Sequence, residues 1–254
     1  MRVAWLHDEG NADGSKGGAE LTMDGFREAA PEWIEFTPDG ETVVIGNCVT
    51  FQPEIIYELE KAERVIRYHH DLSHAEHPRL REWLDENAEH IFTSPLHAEQ
   101  YKAGPDAAVI PPQIELERFR PNRQQRRHGQ RKGIVTVASW QNPNKGGHLV
   151  SETLYRQGLT ADCYGHGPHV PYGDHINVKG AYDPAELPQI LWQYEQFIFL
   201  PNVIEPFGRC VVEAWAAGLE ILTNDLVGSK YYLEEDQAAL ETAAEDFWRY
   251  VDGR

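Results

Sequence analysis

Short apolar runs alternate with amphipathic stretches along the whole chain. Residues 3–6, 42–45, 65–68, 90–93 and 107–110 read as strands, separated by helical patterns at 19–30, 53–62, 78–86 and 95–102. Beyond residue 130 the pattern restarts. Strands are predicted at 134–138, 161–164, 175–178, 197–200 and 220–222, with helices at 146–157, 184–194, 207–217 and 237–251. Strand–helix alternation predicts parallel sheets covered on both faces, and the restart predicts two such halves. The expected fold class is α/β, two Rossmann-like domains facing a cleft. Ligands are then expected in loops that follow strands, because the carboxyl ends of parallel strands form the open edge of such sheets.

Between the halves the pattern lapses. Pro121-Asn122-Arg123-Gln124-Gln125-Arg126-Arg127-His128-Gly129-Gln130-Arg131-Lys132 is polar, basic and without apolar periodicity. It reads as a solvated linker, with a nucleic-acid patch as the alternative. The expected organisation is a first domain over 1–120, a linker over 121–132 and a second domain over 133–254, with the last helix able to pack back on the first domain. The opening residues 1–8 read as a buried strand rather than a leader, and no run reaches the roughly 18 apolar residues a membrane span requires.

Charge narrows the partners. The net charge is −18, which disfavours nonspecific contact with nucleic acid or anionic lipid. An anionic ligand therefore needs a locally positive site. The cations comprise 16 Arg and only 7 Lys; many carboxylates with few lysines suit a high-salt setting, where stability is expected to rise with molar KCl. Cys48, Cys163 and Cys210 are odd in number and far apart, which fits reduced thiols and a cytoplasmic location.

The chemistry concentrates after the predicted strand at 197–200. A loop carries Glu205, Pro206 can open a helix, and the free amides of the first turn near Phe207, Gly208 and Arg209 can hold an anion. Glu213 follows about two turns on, amid Cys210, Val211, Val212, Ala214 and Trp215, where a carboxylate needs a partner. Two carboxylates beside an anion pocket suit a sugar joined to a nucleoside diphosphate: carboxylates accept from hydroxyls, and amides and cations hold phosphates. The alternative is an amphipathic core helix whose first Glu is favoured by the helix dipole.

Other segments are weaker alone. Lys145, in Asn142-Pro143-Asn144-Lys145-Gly146-Gly147, reads in isolation as a surface lysine before a helix. Gly17-Gly18 follows the first strand and leads into a helix, so its amides can face a phosphate or an acceptor. His69-His70-Asp71-Leu72-Ser73-His74-Ala75-Glu76-His77 offers His70 and His74 at helix-face spacing, a zinc pattern as the alternative to an active-site polar group.

Together these segments resemble one family. Glu205-Pro206-Phe207-Gly208-Arg209-Cys210-Val211-Val212-Glu213-Ala214-Trp215-Ala216-Ala217-Gly218 is similar to the signature of retaining glycosyltransferases of family 4, which have the GT-B fold. The chain resembles a short, divergent member. The resemblance implies that Glu205 lies at the transferred sugar and Glu213 at the donor ribose. Val137-Ala138-Ser139-Trp140 through Gly147 resembles the segment that opens the family's second domain, which implies a diphosphate role for Lys145. Ser139 stands where the family usually has an arginine, and Arg209 is a candidate substitute cation. His70-Asp71 resembles the family's cleft-facing His-Asp, and Gly17-Gly18 its glycine-rich loop.

The implied activity is transfer of a hexose from a UDP- or GDP-type nucleotide sugar to a hydroxyl acceptor (glycan, lipid, protein or small molecule), with retention and without metal or other cofactor. The implied catalytic set is Glu205, His70 and Lys145. The donor-binding set is Gly17, Gly18, Lys145, Phe207, Gly208, Arg209 and Glu213. A noncatalytic nucleotide-sugar-binding protein of the same fold is the alternative.

Overall fold

The computed structural model describes residues 1–8, 17–71, 77–105, 107–122, 131 and 133–253. Most of the basic linker, as well as His74 and Glu76, lies outside the described residues. The chain divides into two compact units, one of Met1–Ile114 with Asp236–Arg254 and one of Glu115–Glu235.

Among the described residues of the first unit, β1 (Arg2–Leu6), β2 (Glu35–Phe36), β3 (Thr42–Ile45), β4 (Arg64–Tyr68), β5 (Glu89–Phe92) and β6 (Ala108–Val109) form one parallel sheet. Its order is β2-β1-β3-β4-β5-β6. Helices α1 (Gly18–Glu28), α2 (Ile56–Leu59), α3 (Pro78–Asn87) and α4 (Pro95–Gln100) lie between strands. Strands buried on both faces need apolar residues at every position, which is why they read as runs rather than alternations. The sheet shows this directly. Val3 and Val44 join a core with Met23 and Phe26, whereas Ala4, Val43 and Ile45 join one with Leu59, Leu80 and Leu84.

The second unit contains α5 (Leu116–Phe119), β7 (Ile134–Val137), α6 (Gly147–Gln157), β8 (Ala161–Tyr164), β9 (Ile176–Gly180), α7 (Leu187–Leu191), β10 (Gln196–Phe199), α8 (Arg209–Ala216), β11 (Glu220–Thr223) and α9 (Ser229–Glu234). The strands form a parallel sheet in the order β11-β10-β7-β8-β9. Arg131 donates to the carbonyls of Ala217 and Gly218 and so satisfies the end of α8.

The last helix, α10 (Gln237–Val251), belongs to the first unit. Phe247 stacks on Phe26 of α1 at 4.1 Å, and the Trp248 indole donates to the Phe26 carbonyl. Arg64 of β4 reaches the Tyr250 and Val251 carbonyls while forming a bidentate pair with Glu89. That pair holds the Glu89 carboxyl below its usual range.

Three elements lack a sequence signal. β2 and α5 are too short for periodicity, and α9 follows Gly228 without a capping side chain. Two predicted helices shorten: 53–62 and 184–194 each become a 3₁₀ turn that leads into a helix of four or five residues. Pro206 does not open α8. Glu205 bridges Val227, with its amide donating to Leu226 and its carbonyl accepting from Gly228, so the segment stays extended. The helix begins after Gly208, whose φ of +81° makes it the N-cap.

Candidate functional site

In an open parallel sheet a crevice forms where strand order reverses, outside the carboxyl ends of two strands whose loops diverge. In the second unit those strands are β7 and β10, neighbours in the sheet whose chains continue to strands on opposite sides, β8 and β11. The loop after β7 carries Lys145, and the loop after β10 carries Glu205. Lys145 Nζ donates to Glu205 Oε2 at 2.5 Å and lies 6.0 Å from the Phe199 ring centre. Both side chains keep partial exposure, 26% for Lys145 and 21% for Glu205, so a ligand can reach them. An ammonium has three donors, so this contact leaves capacity for anionic oxygens.

The local backbone explains why these two meet. Gly146 sits at φ +70°, and a Cβ there would lie 1.8 Å from the Leu200 carbonyl oxygen. Only glycine lets the β7 loop press against the end of β10. The Asn202 amide donates to the Asn144 carbonyl across the same seam. Behind it, fully buried Trp140 donates its indole N–H to Tyr164 and exchanges backbone bonds with His166 and His169. Ser139, beside it, is exposed. On the other side, the Ser229 amide donates to the Phe207 carbonyl, which ties the Glu205 loop to the start of α9.

Phe207 itself is core: its ring is buried and sits 5.9 Å from Tyr232, so it can offer a ligand backbone alone. On α8, Arg209 Nε lies 3.8 Å from Glu213 Oε1. Glu213 is buried, which pushes its carboxyl upward against the opposing pull of the Arg209 and Arg118 guanidiniums. It faces Tyr182 from the loop after β9, whose phenol is raised by burial and by this carboxylate. Burial raises the Cys210 thiol to about 12, with the Glu213 and Glu205 carboxylates adding to the rise and Lys145 opposing it. The partner that the sequence demands for Glu213 is thus Arg209, which also bears on Arg209 as a second phosphate cation, because part of its charge is already committed.

Gly17, Gly18 and His70 belong to the first unit. Here strand order reverses between β1 and β3. The Gly17 amide, expected to face a ligand, donates to Glu20 Oε2 at 2.8 Å, and Asn47 donates to the other oxygen at 3.2 Å. The helix is capped by its own third residue. The spacing from Gly17 to Glu20 was a readable signal for this cap. Gly18 is exposed, and its carbonyl accepts from Thr22. Asp8, at the end of β1, is buried and accepts from the amides of Val49 and Thr50 and from the Thr50 hydroxyl.

His70 is half-buried, its ring 5.0 Å from Tyr68. Its neighbour His69 is buried in a network that sequence reading did not single out. His69 Nε2 and His90 Nδ1 lie 2.8 Å apart, so one donates and the other accepts. His69 stacks on Phe92, and His97 bonds Thr93 and the Asp71 carbonyl. Burial holds all three imidazoles below their ordinary range, His97 at about 4, and the Arg67 guanidinium adds to the effect.

No family model and no curated protein matches the chain. Solved structures do. Anabaena Alr3699/HepE in complex with UDP matches with a TM-score of 0.69 at 16% identity, covering 100% of this chain and 95% of that one. AviGT4, a glycosyltransferase involved in avilamycin A biosynthesis, matches with a TM-score of 0.66 at 16% identity, over 100% and 88%. An alpha-glucosyltransferase in complex with UDP and a 13-mer DNA containing an HMU base matches with a TM-score of 0.58 at 13% identity, over 99% and 95%. The fold is therefore α/β with two Rossmann-like domains, that of GT-B glycosyltransferases. Among the described residues no helix is long and apolar enough to cross a membrane.

Proposed function

We propose that the chain is a glycosyltransferase that moves a hexose from a nucleoside-diphosphate sugar to a hydroxyl acceptor with retention of configuration. The observation that carries this reading is the Lys145–Glu205 contact at the strand-order reversal of the second sheet. The neighbours' fold supports it, and HepE and the alpha-glucosyltransferase are each described with UDP.

In this reading Lys145 turns toward the diphosphate and frees Glu205 to accept from sugar hydroxyls. Backbone groups at 207–209 add donors near the departing phosphate, whose charge grows in the transition state. Glu213 accepts from the ribose hydroxyls. In the first unit, His70 is the polar group offered to sugar or acceptor hydroxyls. The leaving phosphate takes the acceptor proton as the new bond forms on the same face, so the chain needs neither a nucleophile nor a metal. The net charge of −18 disfavours a duplex acceptor, and a neutral glycan or small alcohol suits the surface better.

The test is nucleotide release from UDP- and GDP-hexoses with and without an acceptor panel that includes glycans, lipids and duplex DNA. Turnover that Glu205→Ala abolishes supports the reading; no donor bound, or turnover indifferent to Glu205→Ala, sinks it. A second reading, a noncatalytic nucleotide-sugar-binding protein, draws on Ser139 and on the closed Gly17 amide. Tight donor binding without release under any acceptor favours it.

A further inference from the structure

His70 stands just past β4, where the chain leaves the sheet, as a single residue between two anchored ones. On its near side, the His69 amide still donates to the Ile91 carbonyl of β5 at 2.9 Å. The His69 ring is buried, and its Nε2 lies 2.8 Å from His90 Nδ1. On the far side of His70, the Asp71 carbonyl lies 3.2 Å from His97 Nε2. A carbonyl oxygen can only accept, so this contact requires the proton on Nε2 of His97.

The surroundings of His97 hold its ring in that one direction. The side chain is fully buried. It sits edge-on to Phe92, with ring centres 5.5 Å apart, and edge-on to His69 at 6.0 Å. Its amide donates to the Ser94 hydroxyl at 3.1 Å, and Nδ1 lies 2.9 Å from the Thr93 hydroxyl. Thr93 and Ser94 are themselves buried. With the proton on Nε2, Nδ1 of the neutral ring accepts from Thr93; burial favours that neutral form, lowering the ring to about 4. Both ring nitrogens therefore have a fixed partner, and one partner is the backbone directly after His70. An apolar ring would fill the same space but could not reach the chain beyond His70.

We propose that His97 is a positioning residue: its Nε2–H bond to the Asp71 carbonyl sets where the chain turns away from β4 and so fixes the placement of the His70 imidazole. The inference rests on the reading of His70 given above, as the polar group offered to sugar or acceptor hydroxyls. His97 acts through the backbone and touches no ligand. The rival is a side chain that only fills the core beside Phe92.

Two side-chain amides separate these roles. In His97→Gln the amide nitrogen reaches about as far as Nε2 and can keep the Asp71 bond. In His97→Asn the amide ends where Nδ1 stood, so it can keep Thr93 but falls short of Asp71. On the full chain near neutral pH, heteronuclear NMR reads the His97 tautomer in wild type. It also reads the His70 ring signal, assigned with His70→Gln, in wild type and both His97 variants. Affinity for UDP and GDP, and nucleotide release from their hexoses, are measured on the same proteins. The expected results are an Nε2–H tautomer and a His70 signal displaced by Asn but not by Gln. Turnover is expected to fall by about 10–100-fold in Asn and to stay near wild type in Gln, with nucleotide affinity within about twofold in both. An Nδ1–H tautomer, a His70 signal unmoved by Asn, or equal loss of turnover in both variants overturns the role of His97. The tautomer is read in wild type, so refutation does not depend on His97→Asn folding. If wild type releases nucleotide from neither hexose while Asn alone still moves the His70 signal, the glycosyltransferase reading falls and the positioning of His70 stands.

Discussion

The two strand-order reversals of this chain differ in how their polar groups are used. At the first, between β1 and β3, the carboxylates of Asp8 and Glu20 have backbone work to do: Asp8 holds the Val49 and Thr50 amides, and Glu20 holds the Gly17 amide. At the second, between β7 and β10, Lys145 and Glu205 hold each other through partly exposed side chains. A carboxylate that satisfies buried amides is part of the scaffold, since removing it strands donors at about 1–3 kcal/mol each. A partly exposed ion pair of this kind adds little stability, about 0–1 kcal/mol, and can open for a ligand at small cost. Among the described residues, the same kind of strand-order reversal therefore holds its carboxylates on backbone amides in one unit and in an ion pair that can open in the other.

The comparison can be broken most severely at the backbone. Gly146→Ala forces a side chain into the Leu200 carbonyl at φ +70°, whereas Gly158→Ala meets open space at φ +64°. Urea unfolding is expected to show Gly146→Ala losing more than about 3 kcal/mol, if it folds, and Gly158→Ala about 1–2 kcal/mol, the cost of a left-handed alanine. Equal losses would show that the seam is not tight. Next in size is activity. Lys145→Ala and Glu205→Gln are each expected to cut turnover by about 10²–10³-fold while shifting stability by no more than about 1 kcal/mol. A large loss of stability would make the pair scaffold after all.

Acid should damage the first unit's histidine network before it protonates carboxylates. His69, His90 and His97 are held neutral when folded, yet take up protons near pH 6.5 when unfolded. The unfolded state then binds more protons below about 6.5, so stability is level above that pH and falls as pH drops toward the folded values, about 4 for His97. Unfolding free energies at pH 7.5 and 5.0 measure the slope before the carboxylate range is reached, and His97→Gln is expected to flatten it. A flat wild-type profile would count against a buried neutral network. The smallest effect is expected at the first reversal. Glu20→Ala should cost about 1 kcal/mol through the lost cap and leave donor affinity within twofold. A gain in affinity for phosphate-bearing ligands would instead reveal a Gly17 site that Glu20 shields.

Much of the architecture was legible because its signal is local. The run at 42–45 is buried at every position, the segment at 161–164 alternates buried and half-buried side chains, and the helix at 237–251 carries its own period and Asp236 cap. The Glu205-to-Glu213 spacing was readable for the same reason, whereas Lys145 in isolation reads as a surface lysine and stood out only through the family resemblance. Pro206 misled because a helix start in sequence looks the same whether or not a neighbouring loop captures it, and here the Val227 loop does. The histidine network had no readable form, since His69 follows β4, His90 lies in β5 and His97 in α4, and they meet only when those elements pack together.

By itself, then, the sequence determined the alternating α/β pattern, its restart, and which residue types stand after which strands, because these depend on side-chain periodicity and on neighbours a few residues apart. Only the tertiary structure decided which carboxylates are scaffold and which are available. Asp8 and Glu205 both follow strands, and nothing local separates them. What separates them is the partner that strand order brings within hydrogen-bond reach: the Val49 and Thr50 amides for Asp8, a lysine side chain for Glu205.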